Sequence, residues 1–255
     1  MVQGSRLRGQ GSGRPRCYAP DVRGEVVTLS PDEAHHVARV LRLDAGAPVV
    51  VFDGRGSEWD GTIAAAARGV VRIGALTPRP PAPEPPVVVT LAVALLKGDQ
   101  MNAVVRDATV MGAAGIVPIA SDHAARQPSP REDRERARWE RVAIAAAKQC
   151  GRAVVPRIEP TSTLPAVLER DAALRVICVE PGRDTPPRGG GHEQEHWPRV
   201  PDAVLCIGPE GGWSEDELGR ADRAGARRLN LGPRTLRAEA APAVALTVLW
   251  TRWGW

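Results

Sequence analysis

The stretch Pro78 to Pro86, PRPPAPEPP, constrains this chain more than any other. Proline at this density fixes φ and removes backbone donors, so the stretch is extended and is expected to join neither a helix nor a central strand. Read as a linker over 78–86, it divides the 255 residues into a smaller part, 16–77, and a larger one, 87–255. Residues 1–15 are Gly-, Ser- and Arg-rich and are expected to be disordered.

Before the linker come short runs of strand character punctuated by glycine turns: GEVVTL (24–29), APVVVFDG (47–54), EWDGTIAAAA (58–67) and VVRIGAL (70–76). One helix interrupts them. Ser30-Pro31-Asp32-Glu33 supplies an N-cap, a proline at the first helical position and a capping-box acid, and AHHVARVLRL follows. The pattern predicts a small β-barrel-like module carrying one helix.

After the linker, VVVTLAVALL (87–96) is a continuous apolar run of strand type. Met101, Val104, Val105, Ala108 and Met111 then recur at helical spacing, with Gly112 as a stop. The alternation continues through AGIVPIAS (114–121), RWERVAIAAAKQCG (138–151), LRVICVE (174–180), DAVLCIG (202–208) and RRLNLG (227–232), which predicts an α/β domain with a mostly parallel sheet. Residues 182–201 show no periodicity and read as a long flexible loop.

Composition narrows the function classes. Of 34 Lys plus Arg only Lys97 and Lys148 are lysine, and the net charge is +4. Guanidinium suits phosphate contacts, so a nucleic-acid partner is compatible, although arginine usage also follows from a GC-rich genome. Cys17, Cys150, Cys178 and Cys206 are scattered with no metal-ligand spacing, and no metal is expected. No apolar run reaches the ~20 residues of a membrane span and no signal-peptide core is seen, so a reduced, cytoplasmic setting is expected.

The segment CIGPEGGWSEDEL (206–218) has the outline of a phosphate cradle: strand, glycine turn, helix start. Its charges argue otherwise. It has no lysine, and Glu210, Glu215, Asp216 and Glu217 would crowd an anion. Ser214 and Glu217 form a capping box, with Trp213 and Leu218 at the staple positions. The glycines therefore allow close approach of a neutral or cationic ligand or of another chain segment, or simply make a tight turn. A second segment, LNLGPRTLRAEAAPAVALTVLW (229–250), repeats the layout, and Pro242 fits the first turn of its helix.

With these two segments on the page, IGPEGGWSEDEL followed by LGPRTLRAEAA resembles the signature pair of the SPOUT-type trefoil-knot methyltransferases, specifically the RsmE family acting on N3 of a uridine in 16S ribosomal RNA. The likeness extends to ALLKGDQM (94–101), RWERVAIAAAKQCGRAVVPRI (138–158), HHVARVLRL (35–43) and FDGRG (52–56). It implies a C-terminal SPOUT trefoil-knot domain, an N-terminal PUA-like RNA-binding domain, a homodimer, and S-adenosylmethionine bound bent across the knotted loops. Carried over residue by residue, the cofactor walls are Glu180, Pro181 and Gly182; Ile207, Gly208, Pro209, Glu210, Gly211 and Gly212; and Leu231, Gly232, Leu236 and Arg237. A cofactor without phosphate agrees with the acid-rich loop.

N3 of uridine is a poor nucleophile while protonated, so Glu239 is the candidate for accepting that proton or orienting the base, and Arg237 for stabilising the developing oxyanion. For the RNA partner, Arg16, Arg39 and Arg42 match basic positions of the family's first domain, with Arg39 and Arg42 three apart on one helical face. The chain departs from the family pattern at Ala238 and Ala240, where Thr is usual, at Val110, where an acid is usual, and at His123, where Arg is common; Arg126 is read as replacing that cation. Two alternatives stay open: a knot methyltransferase for a different RNA nucleotide, and a non-catalytic RNA-binding ribosome-assembly factor.

Overall fold

The computed structural model describes residues 13–67, 69–183, 197 and 199–255, so most of the expected tail and of the 182–201 loop lies outside the described residues. The chain separates into two compact units, Met1–Pro81 and Ala82–Trp255.

In the first unit, β1 (Arg16–Tyr18), β2 (Val27–Thr28), β3 (Pro48–Phe52), β4 (Glu58–Ala67) and β5 (Val70–Arg79) form one sheet in the order β1-β3-β4-β5-β2. Irregular register between Asp60 and Thr62 and between Ile63 and Ala65 bends the β4–β5 pair, as bulges do. The concave side buries Cys17, Leu29, Val37, Val51, Ile63 and Ile73. Strand β5 extends through Pro78 and Arg79, opposite Trp59 and Glu58, so the start of the proline stretch belongs to the sheet rather than to the linker. The reason is local: β2 pairs with β5 only at Arg72 and Ile73, and beyond them β5 is an edge that needs no N–H from Pro78.

Helix α1 (Pro31–His35) begins as its sequence predicts, with Ser30 Oγ accepting from the Glu33 N–H at 3.4 Å. It is shorter than expected and widens into a π-helical turn over His36–Val40. The Leu43 N–H then bonds back to the Val37 carbonyl at 3.1 Å, and Arg42 takes a positive φ of 54°. Arg39 and Arg42 are both exposed but do not share a helical face, which corrects the periodicity reading.

In the second unit, β6 (Val88–Ala94), β7 (Gly115–Ala120), β8 (Arg157–Ile158), β9 (Ser162–Thr163), β10 (Leu174–Val179), β11 (Asp202–Ile207) and β12 (Arg227–Asn230) form a parallel sheet in the order β12-β10-β11-β6-β7-β8, with β9 beside β7. Both faces are covered, which is why its strands read as unbroken apolar runs. On one face lie α2 (Gln100–Val110), α3 (Glu132–Cys150) and α6 (Ala241–Arg252); on the other lie α4 (Leu164–Leu168) and α5 (Glu215–Arg223). Helix α3 starts six residues before the segment read as helical, on an acidic first turn of Glu132, Asp133 and Glu135 that favours a helix N-terminus.

Arg152 fastens the start of this unit to its core. Its guanidinium is 7% exposed and donates to Glu84 at 2.9 Å and to the carbonyls of Thr109, Gly112 and Ala113 at 3.0, 3.2 and 2.8 Å. The Thr109 carbonyl belongs to the last turn of α2, and those of Gly112 and Ala113 follow just after it, where intrahelical donors run out. Gly112 has a φ of +91°, and a Cβ there would sit 2.5 Å from Pro85, so the proline stretch packs directly on the end of α2. Arg152→Ala is expected to destabilise the chain by about 3 kcal/mol, because it leaves Glu84 and the carbonyls unpaired; denaturant midpoints measure this.

Candidate active site

Because the strands of the second unit are parallel, their C-terminal ends open on one side, where α/β sheets bind ligands. The segments leaving β10, β11 and β12 meet there around a cleft. It is lined by Cys178, Val179, Glu180 and Pro181, by Ile207, Gly208, Pro209, Glu210 and Trp213, and by Leu231, Gly232, Arg234, Thr235, Leu236, Ala238 and Ala241.

Trp213 builds the wall between the first two segments. Its indole is 2% exposed and donates from Nε1 to the Cys178 carbonyl at 2.9 Å. A Cβ on Gly208 would lie 3.0 Å from that ring, so glycine is required there for the indole to close down. Next to it the capping box is complete: the Glu217 N–H donates to Ser214 Oγ at 3.2 Å and the Ser214 N–H to Glu217 Oε2 at 2.9 Å. Ser214 Oγ donates to Asp122 and the Asp122 N–H to Glu217, which fastens the loop after β7 to the same helix start.

The other two glycines of the turn also face protein. A Cβ at Gly212, whose φ is +72°, would fall 2.0 Å from Glu180 Oε1, and one at Gly211 would meet His123 Cβ at 3.0 Å and its carbonyl oxygen at 3.1 Å. Of the roles open in the sequence, close approach of another chain segment is the one the structure displays.

Among the proposed cofactor residues, Glu180, Pro181, Ile207, Gly208, Pro209, Glu210, Leu231, Gly232 and Leu236 converge on the cleft. Gly182, Gly211, Gly212 and Arg237 do not line it; Gly211 and Gly212 shape it from behind. Cys178, Val179, Trp213 and Ala241 line it without having been singled out, as residues at or beside strand and helix ends. Ala238, read as the place of a missing hydroxyl, faces it.

Glu239 lies beside the cleft, with Oε2 accepting from Gln100 Nε2 at 3.1 Å and Oε1 3.9 Å from Arg237 Nη1. Arg237 is 88% exposed, so its guanidinium projects into solvent next to that carboxylate. Arg126 pairs with Glu135. In the first unit Arg16 bridges Glu58 at 2.8 Å and lies over the Phe52 ring at 4.9 Å, which commits its charge to the fold.

Two groups in and behind the cleft are chemically quiet. Burial pushes the Cys178 thiol well above the ordinary thiol range, and burial pushes Cys206 up to about 12, so neither supplies a thiolate near neutral pH. One oxygen is poorly served: Glu180 Oε2 is buried and has no hydrogen-bond partner among the described residues. Among the described residues there is no group of three or more His, Cys, Asp or Glu that could hold a metal, and no helix is long and apolar enough to cross a membrane.

Two family models match the chain: an RNA methyltransferase domain over residues 83–250, the unit of the parallel sheet and its cleft, and an RNA methyltransferase PUA domain over 29–73, in the unit of the smaller sheet. The class is therefore that of the RNA methyltransferases. Ribosomal RNA small subunit methyltransferase E of Synechocystis is 34% identical over 86% of this chain and 71% of that protein, and the Mycobacterium tuberculosis protein of that name is 32% identical over 92% and 90%. Among solved structures, that of the Neisseria gonorrhoeae ribosomal RNA small subunit methyltransferase E bound to S-adenosyl methionine is similar with a TM-score of 0.82 and 26% identity, covering 94% of this chain and 98% of that one. A putative methyltransferase from Legionella pneumophila in complex with bound cofactor SAM gives 0.82 at 29%, with the same coverage. The chain belongs to the ribosomal RNA small subunit methyltransferase E (RsmE) family.

Gly212 and Gly225 have nearly the same φ, +72° and +71°, but only Gly212 has a neighbour in the path of a Cβ. Gly225→Ala is expected to cost about 1 kcal/mol of backbone strain and Gly212→Ala at least about twice that, read from paired unfolding curves.

Proposed function

We propose that this chain transfers the methyl group of S-adenosylmethionine to N3 of a uridine in 16S ribosomal RNA, with the PUA-type unit contributing RNA affinity. The observation that carries the reading is the cleft itself: its floor is apolar, and Glu180, half-buried at its edge, has an oxygen with no partner among the described residues. Such a lining fits a cofactor that brings a cation and hydroxyls and no phosphate. Glu180 and Glu210 would face the cationic and hydroxyl-bearing parts, Ile207, Leu231 and Leu236 would pack the adenine, and Arg234 is the cation available to a carboxylate. When bound, S-adenosylmethionine supplies an electrophilic methyl group on a sulfonium.

The remaining chemistry falls to the chain. Gln100 holds one oxygen of Glu239, leaving the other to accept the N3–H of uridine and take its proton as the new bond forms. Arg237, exposed beside it, offsets negative charge on the uridine carbonyl oxygen. Arg39 and Arg42 present exposed guanidinium groups to RNA phosphates. The last segment is inferred to thread the loop behind the cleft: β12 lies at the sheet edge beyond β10, yet α6, which follows it, packs on α2. Ala238 in the cleft wall, where the family has a hydroxyl, is the feature that favours a non-catalytic assembly factor.

Mass spectrometry of rRNA nucleosides from a deletion strain decides between these readings. Loss of N3-methyluridine is expected; its persistence sinks the assignment, and loss of another methylated base transfers it to that base. Glu239→Ala is expected to lower kcat by about 10²-fold or more while calorimetry shows S-adenosylmethionine affinity within about twofold of wild type. Normal methylation by that variant would remove Glu239 from the mechanism.

The homodimer is part of the same proposal. Helices α2 and α6 pack together and leave Val110 and Val244 exposed at 44% and 36%, apolar surface that a second copy would cover. Sedimentation is expected to give twice the 27.2 kDa chain mass, and a purely monomeric profile at micromolar concentration would contradict it.

A further inference from the structure

A second opening in the larger unit lies beside the Gly98–Gln100 turn. Three guanidinium groups, Arg126, Arg131 and Arg138, line it with Gly98, Glu135 and the Trp139 indole. Nothing in the proposed transfer chemistry uses Arg131 or Arg138.

Each cation is in a different state. Arg131, at the start of α3, is exposed and has no acidic partner among the described residues. Arg138 reaches Asp99 Oδ1 at 2.5 Å, but the two side chains are 54% and 82% exposed, and an ion pair so wet holds little energy. Arg126 pairs with Glu135, both more than half buried. The opening therefore has one unengaged guanidinium and one held by a carboxylate that is cheaply displaced. Phosphate oxygens suit both, because arginine's fork binds them in pairs. A Cβ at Gly98, whose φ is +56°, would meet nothing within 4 Å, so the turn beside the cations is bare.

The position ties this opening to the reaction. Asp99, which holds Arg138, is followed directly by Gln100, which holds Glu239. A strand lying across the arginines is thus one residue of backbone away from the group that positions the proposed base.

The geometry points to a phosphodiester site: Arg131 and Arg138 grip the RNA backbone next to the target nucleotide, and Asp99 gives up Arg138 as the phosphate arrives. The ligand's identity rests on the methyltransferase reading, so the test measures RNA binding apart from methyl transfer. The full-length protein is titrated with fluorescent 16S rRNA transcript over a series of KCl concentrations, with S-adenosylmethionine affinity followed by calorimetry. Arg131→Ala and Arg138→Ala are each expected to raise Kd for the RNA several-fold, roughly tenfold together, and to lower the slope of log affinity against log salt by about 0.7 to 0.9 per arginine. Asp99→Asn is expected to tighten RNA binding, the opposite of what loss of a purely structural ion pair would give.

Unchanged Kd and salt slope in Arg131→Ala, which breaks no ion pair, would overturn the proposal, as would weaker binding by Asp99→Asn. Competition by inorganic phosphate or uridine monophosphate as strong as that by the RNA would reassign the opening to a small anion. If the variants behave as expected while no N3-methyluridine is made, the RNA site stands and the transfer reading falls.

Discussion

Everything about the active-site cleft depends on where the Trp213 indole goes. Its N–H takes the Cys178 carbonyl in β10, its ring closes over Gly208 at the end of β11, and its backbone leads into the cap of α5. One side chain therefore sets the spacing of two strand ends and the direction of the helix that follows. A polar N–H buried this deeply would be costly without an acceptor, so the Cys178 bond fixes the ring's orientation as well as its depth. Fully buried, the ring also ties the cleft wall to the apolar layer under α4 and α5.

With the wall fixed, the acids around it separate into two groups. Glu217 is consumed by the cap, Asp216 accepts from Arg220 at 2.7 Å, and Glu215 pairs with Arg183. These stabilise a helix start. Glu180 and Glu210 are the acids that face the cleft, and Glu180 keeps an oxygen with no partner among the described residues. A loop that looks uniformly anionic in sequence thus has its charge divided by geometry, most of it neutralised outside the site and a small part reserved for a ligand.

What was legible in the sequence was what short-range chemistry decides. The Ser214–Glu217 capping box, the Ser30 cap, Pro242 in the first turn of α6 and the limits of β4 depend on neighbours a few residues away. The parallel α/β fold followed from apolar runs buried on both faces. Long-range partners were not legible. Nothing near Arg152 announces Glu84 or the carbonyls at and just after the end of α2, and nothing near Gly211 announces His123. The π-helical turn defeated a periodicity argument, because spacing by three is a shared face only while the helix stays α. Arg16 looked like a surface cation, and only the fold shows it committed to Glu58 and Phe52.

The same distinction separates the cofactor walls from the reacting groups. The walls come from β10, β11 and β12, neighbouring strands whose order fixes them as soon as the sheet forms. Glu239, in contrast, is positioned by Gln100, 139 residues earlier in the chain, across the junction of the last loop with the start of α2. Gln100 sits at the start of α2, the helix against which α6 packs, so the placing of the carboxylate depends on the α2–α6 contact as well as on the sheet. A single hydrogen bond to a half-buried carboxylate contributes about 1 kcal/mol or little more, far less than the packing of α6. Substitutions in the α2–α6 interface should therefore disturb Glu239 before they disturb the cofactor walls.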